Sequence, residues 1–154
     1  AHENDIFITI ETEGSHFLAT DYPIHLLSIS PKFSNSVPVL GVETPQGAIT
    51  DQKMIDRHNK LRLNYTAMSN MMDYHPDYHI KPVWDGKDEK ALEEILTFIK
   101  VMDVPQDKVW FMPAGDSREG LFKSYPLVFD WVRDNGYRMT WRPHIIAFED
   151  QREV

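Results

Sequence analysis

The stretch Tyr78–Gly115, YHIKPVWDGKDEKALEEILTFIKVMDVPQDKVWFMPAG, decides how the chain is read. Tyr78–Val83 is short, apolar and rich in β-branched and aromatic residues, as buried strands are. Asp88–Met102 follows with helical spacing, and Ala91, Leu92, Ile95, Leu96, Ile99 and Met102 fall on one apolar stripe. Asp88 and Glu89 crowd its start, where negative charge complements the helix dipole. Lys108–Met112 then reads as a second strand. A strand, a helix and a strand in that order make a crossover unit with parallel strands.

The same alternation extends on both sides. Strand patterns cover Ile6–Thr12 and His25–Ser30, and a last one covers about Arg138–Phe148, interrupted near Pro143. A helix is expected over about Leu121–Asn135, with Trp131 and Val132 inward and Gly136 as its stop. Pro126 should bend or start that helix. A less regular helix spans about Asp51–Met72. Ser34–Thr50, with Pro38, Gly41, Pro45 and Gly47, reads as a long loop. There is no internal repeat and no low-complexity segment. The fold class is therefore α/β. Four or five strands cannot close an eight-stranded barrel, and an open sheet would leave an edge uncovered. The expectation is part of a larger parallel barrel whose missing strands precede Ala1. The chain also starts without methionine, almost directly in a strand, as if cut from something longer.

Composition narrows the function. The 154 residues suit one domain, and 42% apolar with 12% aromatic residues suffices for a core. A formal charge of -8 argues against a phosphate-tracking surface, so no direct nucleic-acid contact is expected. There is no cysteine, which removes disulfides, thiol catalysis and cysteine-held clusters from what these residues do alone. It also fits a reducing, cytoplasmic compartment. No apolar run approaches membrane-spanning length, and no basic-then-apolar leader opens the chain.

In such folds ligands bind at the carboxyl ends of the strands. That rule selects Glu11–Ser15, Ser28–Lys32, Trp84–Gly86, Met112–Gly115 and His144. Together they supply hydroxyls, an amine, carboxylates and backbone amides, suited to a polar, charged small molecule. They contain no evident nucleophile–base pair. Ser30-Pro31-Lys32 would hold an amine at a fixed height above the sheet, where it could pair with a carboxylate. Spacing alone favours a solvated loop lysine. Met112–Gly115 lets backbone approach a ligand, or is an ordinary strand-to-helix turn. His75 and His79, flanked by Asp73 and Asp77, suggest a metal, but Pro76 prevents a helix from placing both rings on one face. A polar surface loop is the expectation there. His144, beside Ile145 and Ile146, reads first as a core histidine.

Taken in order, Glu11-Thr12-Glu13-Gly14, Ser28-Ile29-Ser30-Pro31-Lys32 and Ser34-Asn35-Ser36 resemble the middle of the 7-carboxy-7-deazaguanine synthases. The family pattern there is E-T-x-G followed by S-x-S-P-K. His79–Val83 resembles the family's lysine-bearing strand, and Met112–Gly115 its M-P-E-G turn. Arg142–Phe148 and the closing Arg152-Glu153-Val154 are similar to its R-L-H-x-x-L-W…R-G-V terminus. Glu13, Ala114, Pro143, Phe148 and Glu153 depart from that pattern.

The resemblance implies the C-terminal part of a single radical S-adenosylmethionine partial-barrel domain, 1–154, whose N-terminal cluster-binding part is absent. It implies ring contraction of 6-carboxy-5,6,7,8-tetrahydropterin to 7-carboxy-7-deazaguanine, a carbon–nitrogen lyase step of queuosine and 7-deazapurine biosynthesis that serves tRNA modification. The cofactors implied are S-adenosylmethionine, a [4Fe–4S] cluster and magnesium, the last two held outside these residues. By match, Thr12, Ser28, Ser30, Pro31, Lys32, Met112, Pro113, Ala114 and Gly115 would contact S-adenosylmethionine, and His144 and Val154 the pterin. The implied partner is the missing N-terminal segment, with a homodimer left open and no membrane. These residues alone would be inactive and only marginally stable. Two other readings stand: a radical enzyme acting on another heterocycle, and a truncated domain that binds a ligand or partner without catalysis.

Overall fold

The computed structural model describes residues 6–17, 19–21, 24–44, 47–48 and 51–142. His144 and Val154 lie outside the described residues, as does the expected strand from 143 onward. The chain divides into two compact units, residues 1–78 and 79–154.

In the first unit, strand β1 (Thr9–Thr12) pairs in parallel with β2 (Leu26–Ile29), in the register Thr9 to Leu26 through Thr12 to Ile29. Leu27, Ser28 and Ile29 are buried, which makes β2 the apolar spine of the unit. The Leu27 amide donates to the Asp77 carbonyl at 2.9 Å. The expected loop after residue 34 contains a short 3-10 turn, Ser34–Ser36, and a small antiparallel hairpin of β3 (Glu43–Thr44) and β4 (Gly47–Ala48).

The helix expected over Asp51–Met72 is two helices, α1 (Gln52–Leu61) and α2 (Tyr65–Tyr74). Asn64 is the reason. Its Oδ1 accepts from the Ala67 amide at 3.1 Å and starts a new helix, while its Nδ2 donates to the Ser15 carbonyl at 2.9 Å. A short amide side chain competes for backbone donors in this way and favours a cap over a helix interior. Ala67, Met68 and Met71 of α2 are buried. Gly14 lets the loop after β1 lie directly on them: a Cβ there would sit 2.7 Å from Met68 Cγ, and its φ is +82°.

Strand β5 (Tyr78–Ile80) crosses the division between the units. The second unit alternates strand and helix: β6 (Val83–Trp84), α3 (Glu89–Val101), β7 (Trp110–Pro113), α4 (Arg118–Asn135) and β8 (Arg138–Met139). Its strands run parallel in the order β6-β7-β8. Val83 faces Met112 and Trp110 faces Arg138 in register. This is the parallel α/β arrangement expected from Tyr78–Gly115. The Asp88 carboxylate caps α3 by accepting from the Ala91 amide at 3.0 Å. The buried face of α3 is Ala91, Ile95, Phe98 and Ile99; Phe98 belongs to it, whereas Leu92 and Leu96 are half-buried.

Helix α4 begins at Arg118, earlier than expected, because the Ser117 hydroxyl accepts from the Gly120 amide at 3.1 Å. Pro126 lies inside the helix rather than at its start. Gly136 ends it in the left-handed region, φ +71°. Trp84, Phe111, Trp131 and Tyr137 form one aromatic cluster, with Trp131 centred 5.0 Å from Phe111 and 5.5 Å from Tyr137. Among the described residues, no helix is long and apolar enough to cross a membrane.

Candidate functional site

In the first unit the parallel pairing of β1 and β2 brings their carboxyl ends level. The Ser30 amide donates to the Thr12 carbonyl at 2.7 Å, so the two ends are bonded to each other. The Thr12 hydroxyl accepts from the Gly14 amide at 3.1 Å and shapes the turn after β1. Ser28 is buried at 1% exposure, below the surface of the site, while Ser30 and Lys32 are half-buried. Pro31 and Phe33 on either side of Lys32 are buried, and the Phe33 carbonyl accepts from both the Ser36 amide and hydroxyl. The backbone of Lys32 is thus pinned by its neighbours. The Lys32 carbonyl accepts from Arg62 Nη1 at 3.3 Å.

A cleft of about 360 Å³ opens beside Lys32, lined among others by Glu13, His16, Arg57, His58 and Arg62. The reading of strand ends missed its α1 contribution, because the strand-end rule does not select helix residues. The signal was present as Arg57, His58, Leu61 and Arg62, positions that fall on one face of a helix.

In the second unit Met112 and Pro113 are buried at the end of β7. The Ala114 amide donates to the Trp84 carbonyl at 2.8 Å, extending the β6–β7 ladder by one residue. The Ala114 carbonyl accepts from the Ser124 hydroxyl, and the Gly115 carbonyl from Arg142 Nη1 at 3.0 Å. Gly115 packs against the start of α4, where a Cβ would lie 2.6 Å from the Leu121 nitrogen. A cleft of about 280 Å³ lies beside Ala114 and Gly115, with Asp85, Lys87, Lys123 and Ser124 on its walls. The Asp85 carboxylate is also a turn-former, accepting from the amides of Lys87 and Asp88 at 2.8 and 2.9 Å.

Thr12, Ser28, Ser30, Pro31 and Lys32 are therefore brought together in one unit, and Met112, Pro113, Ala114 and Gly115 in the other. His75, placed by its sequence in a polar surface loop, is buried instead, edge-on to Tyr74 at 4.8 Å. The His79 ring lies 5.9 Å from that of Trp110. Among the described residues no group of three or more histidines and carboxylates could hold a metal ion.

The chain is similar to the 7-carboxy-7-deazaguanine synthase of Halobacterium salinarum, 28% identical over 149 residues that make up 95% of this chain and 56% of that protein. It is also similar to the enzyme of the same name from Rhodopirellula baltica, 28% identical over 145 residues, 94% of this chain and 52% of that one. The chain spans about half the length of these curated relatives, and matches their C-terminal part. No protein-family model and no solved structure matches it.

Proposed function

We propose that the chain is the C-terminal part of a radical S-adenosylmethionine enzyme that makes 7-carboxy-7-deazaguanine from 6-carboxy-5,6,7,8-tetrahydropterin. The observation that carries this reading is the likeness over 94–95% of the chain to two proteins of that name. The parallel strand–helix units support it, since they are the pieces from which a (β/α) barrel is built. In this reading residues 1–154 belong to one barrel domain of a cytoplasmic enzyme of queuosine biosynthesis.

S-adenosylmethionine, when bound, supplies radical hydrogen abstraction; the residues described here hold it. Lys32, between two buried neighbours, and the Ser30 hydroxyl are assigned to carboxylate oxygens at the end of β2. Thr12 sets the turn beside them. Met112–Gly115, at the end of β7, are assigned to S-adenosylmethionine by the same resemblance. His144 and Val154 are assigned to the pterin. An iron–sulfur cluster does not fit this chain, because clusters are held by cysteine thiolates and the sequence has none. Magnesium is assigned by the same resemblance to the absent part. Both groups are assigned to residues outside these 154, in a segment of the same polypeptide.

The test is the iron content of the full polypeptide, expressed from its gene and reconstituted anaerobically. About four irons per chain, with turnover of the carboxy-tetrahydropterin, is the expected result. Lys32→Met should then weaken S-adenosylmethionine binding while leaving the iron in place. A full polypeptide that takes up no iron would overturn the reading and leave a domain that binds a ligand without catalysis.

A further inference from the structure

Resting on the reading that Met112–Gly115 contacts S-adenosylmethionine, we infer that Arg142 is a positioning residue that holds this turn in its binding shape through Gly115. Arg142 Nη1 donates to the Gly115 carbonyl at 3.0 Å, across 27 positions of chain. The resemblance assigns no cofactor contact to Arg142.

Gly115 is the soft joint of the turn. A Cβ there would lie 2.6 Å from the Leu121 nitrogen, so packing against α4 requires glycine. Glycine also brings the widest backbone freedom, which lets the peptide that follows it rotate. Because a peptide unit is planar, holding its carbonyl also fixes its amide. The Ser124 hydroxyl on the Ala114 carbonyl therefore sets the Gly115 amide, and Arg142 on the Gly115 carbonyl sets the Asp116 amide. The Ala114 amide is itself held by the Trp84 carbonyl at 2.8 Å. Ala114 and Gly115 line a cleft of about 280 Å³, so the shape of the turn decides which backbone groups an entering ligand meets.

The guanidinium also comes from a fixed base. The Thr140 amide donates to the Phe111 carbonyl at 2.9 Å, which carries the β7–β8 ladder to within two residues of Arg142. The Trp141 ring lies 4.5 Å from that of Tyr125 on α4. A bond from a guanidinium is charge-assisted and roughly twice as strong as a neutral one, enough to restrain a glycine peptide.

Steady-state kinetics of the iron-loaded full polypeptide, with the carboxy-tetrahydropterin saturating, test the inference. Arg142→Met should raise the KM for S-adenosylmethionine about ten-fold, as loss of a hydrogen bond from a charged group does, and leave kcat within about two-fold. A residue that only supported the fold would do the reverse, because fewer active molecules lower the apparent kcat and leave KM unchanged. Arg142→Lys, which restores a cationic donor, should bring KM back to within about three-fold of the parent. Should Arg142→Met fail to fold, the same split is expected of Arg142→Gln and is read there. A lowered kcat at the parent KM, kinetics like the parent, or a lysine variant that recovers nothing overturns the inference while the cofactor reading stands. A parent protein that takes up no iron and turns nothing over overturns that reading and this inference with it.

Discussion

The Ser124 hydroxyl, in the second turn of α4, donates to the carbonyl of Ala114, the first residue after β7. The same oxygen lies 3.2 Å from the Leu121 carbonyl, and Ser124 is only 4% exposed. One buried hydroxyl therefore ties the strand end to the helix that follows it. Removing the donor leaves a carbonyl shielded from water without its partner, which costs more than the net worth of the bond. Ser124→Ala should lower stability by about 1–3 kcal/mol, measured by denaturant unfolding. An unchanged midpoint would mean that the Ala114 carbonyl finds water, and that the strand end is less closed than its packing indicates.

Gly86 follows β6 with φ +83°, and a Cβ built on it would clash with Leu127 Cβ and lie 3.3 Å from the Leu127 backbone carbon and from the Val128 nitrogen. Gly41 has nearly the same backbone, φ +80°, but nothing within 4 Å. The pair separates backbone strain from crowding. Gly41→Ala should cost only the left-handed penalty, about 1–2 kcal/mol. Gly86→Ala should cost roughly 1–3 kcal/mol more, because α4 cannot yield its backbone cheaply. Equal losses in thermal unfolding would show that the start of α4 moves aside.

Much of this was legible in the sequence, and what was not has physical causes. Helix α3 was readable because Ala91, Ile95 and Ile99 repeat at helical spacing behind an aspartate cap. Phe98 was missed as core since burial follows the local packing, which a stripe drawn through leucines does not reveal. The break between α1 and α2 turns on one side-chain bond of Asn64, invisible to periodicity. The strand-end residues were selected by a rule about parallel sheets, and β1, β2 and β7 do end at Thr12, Ile29 and Pro113 beside them. The basic face of α1 lay beyond that rule. The aromatic cluster around Trp131 joins residues up to 53 positions apart, from Trp84 to Tyr137, a closeness only the fold creates.

Glu119 and Lys123, one turn apart on α4, lie 2.6 Å from each other with 79% and 70% of their side chains exposed. The hydrogen bond from Lys123, and then its charge, hold the Glu119 carboxyl below the ordinary glutamate value. A depressed carboxyl stabilises the fold above its unfolded value, and that contribution fades as pH falls through the folded one. Solvent and salt screen so exposed a pair. A carbon-detected NMR titration should therefore find Glu119 titrating low and Lys123→Gln returning it to normal. The acid unfolding midpoint should be the same in both proteins. A displaced midpoint would show that the pair is coupled to the packing of α4.

Pro126 stands in the interior of an 18-residue helix that continues on both sides of it. A proline there has no amide for the Phe122 carbonyl, and its ring crowds that carbonyl. Relative to alanine the local cost is about 3 kcal/mol, offset by roughly 0.4–1 kcal/mol because proline also restricts the unfolded chain. Pro126 is exposed, so its replacement removes little packing. Pro126→Ala should raise stability by roughly 2–3 kcal/mol, read as a higher denaturant midpoint. Val128 and Val132 are buried and Trp131 packs on Phe111, all on the turns that follow. A lower midpoint would mean that a bend at Pro126 is what seats those side chains, so that straightening α4 costs more in packing than the restored hydrogen bond contributes.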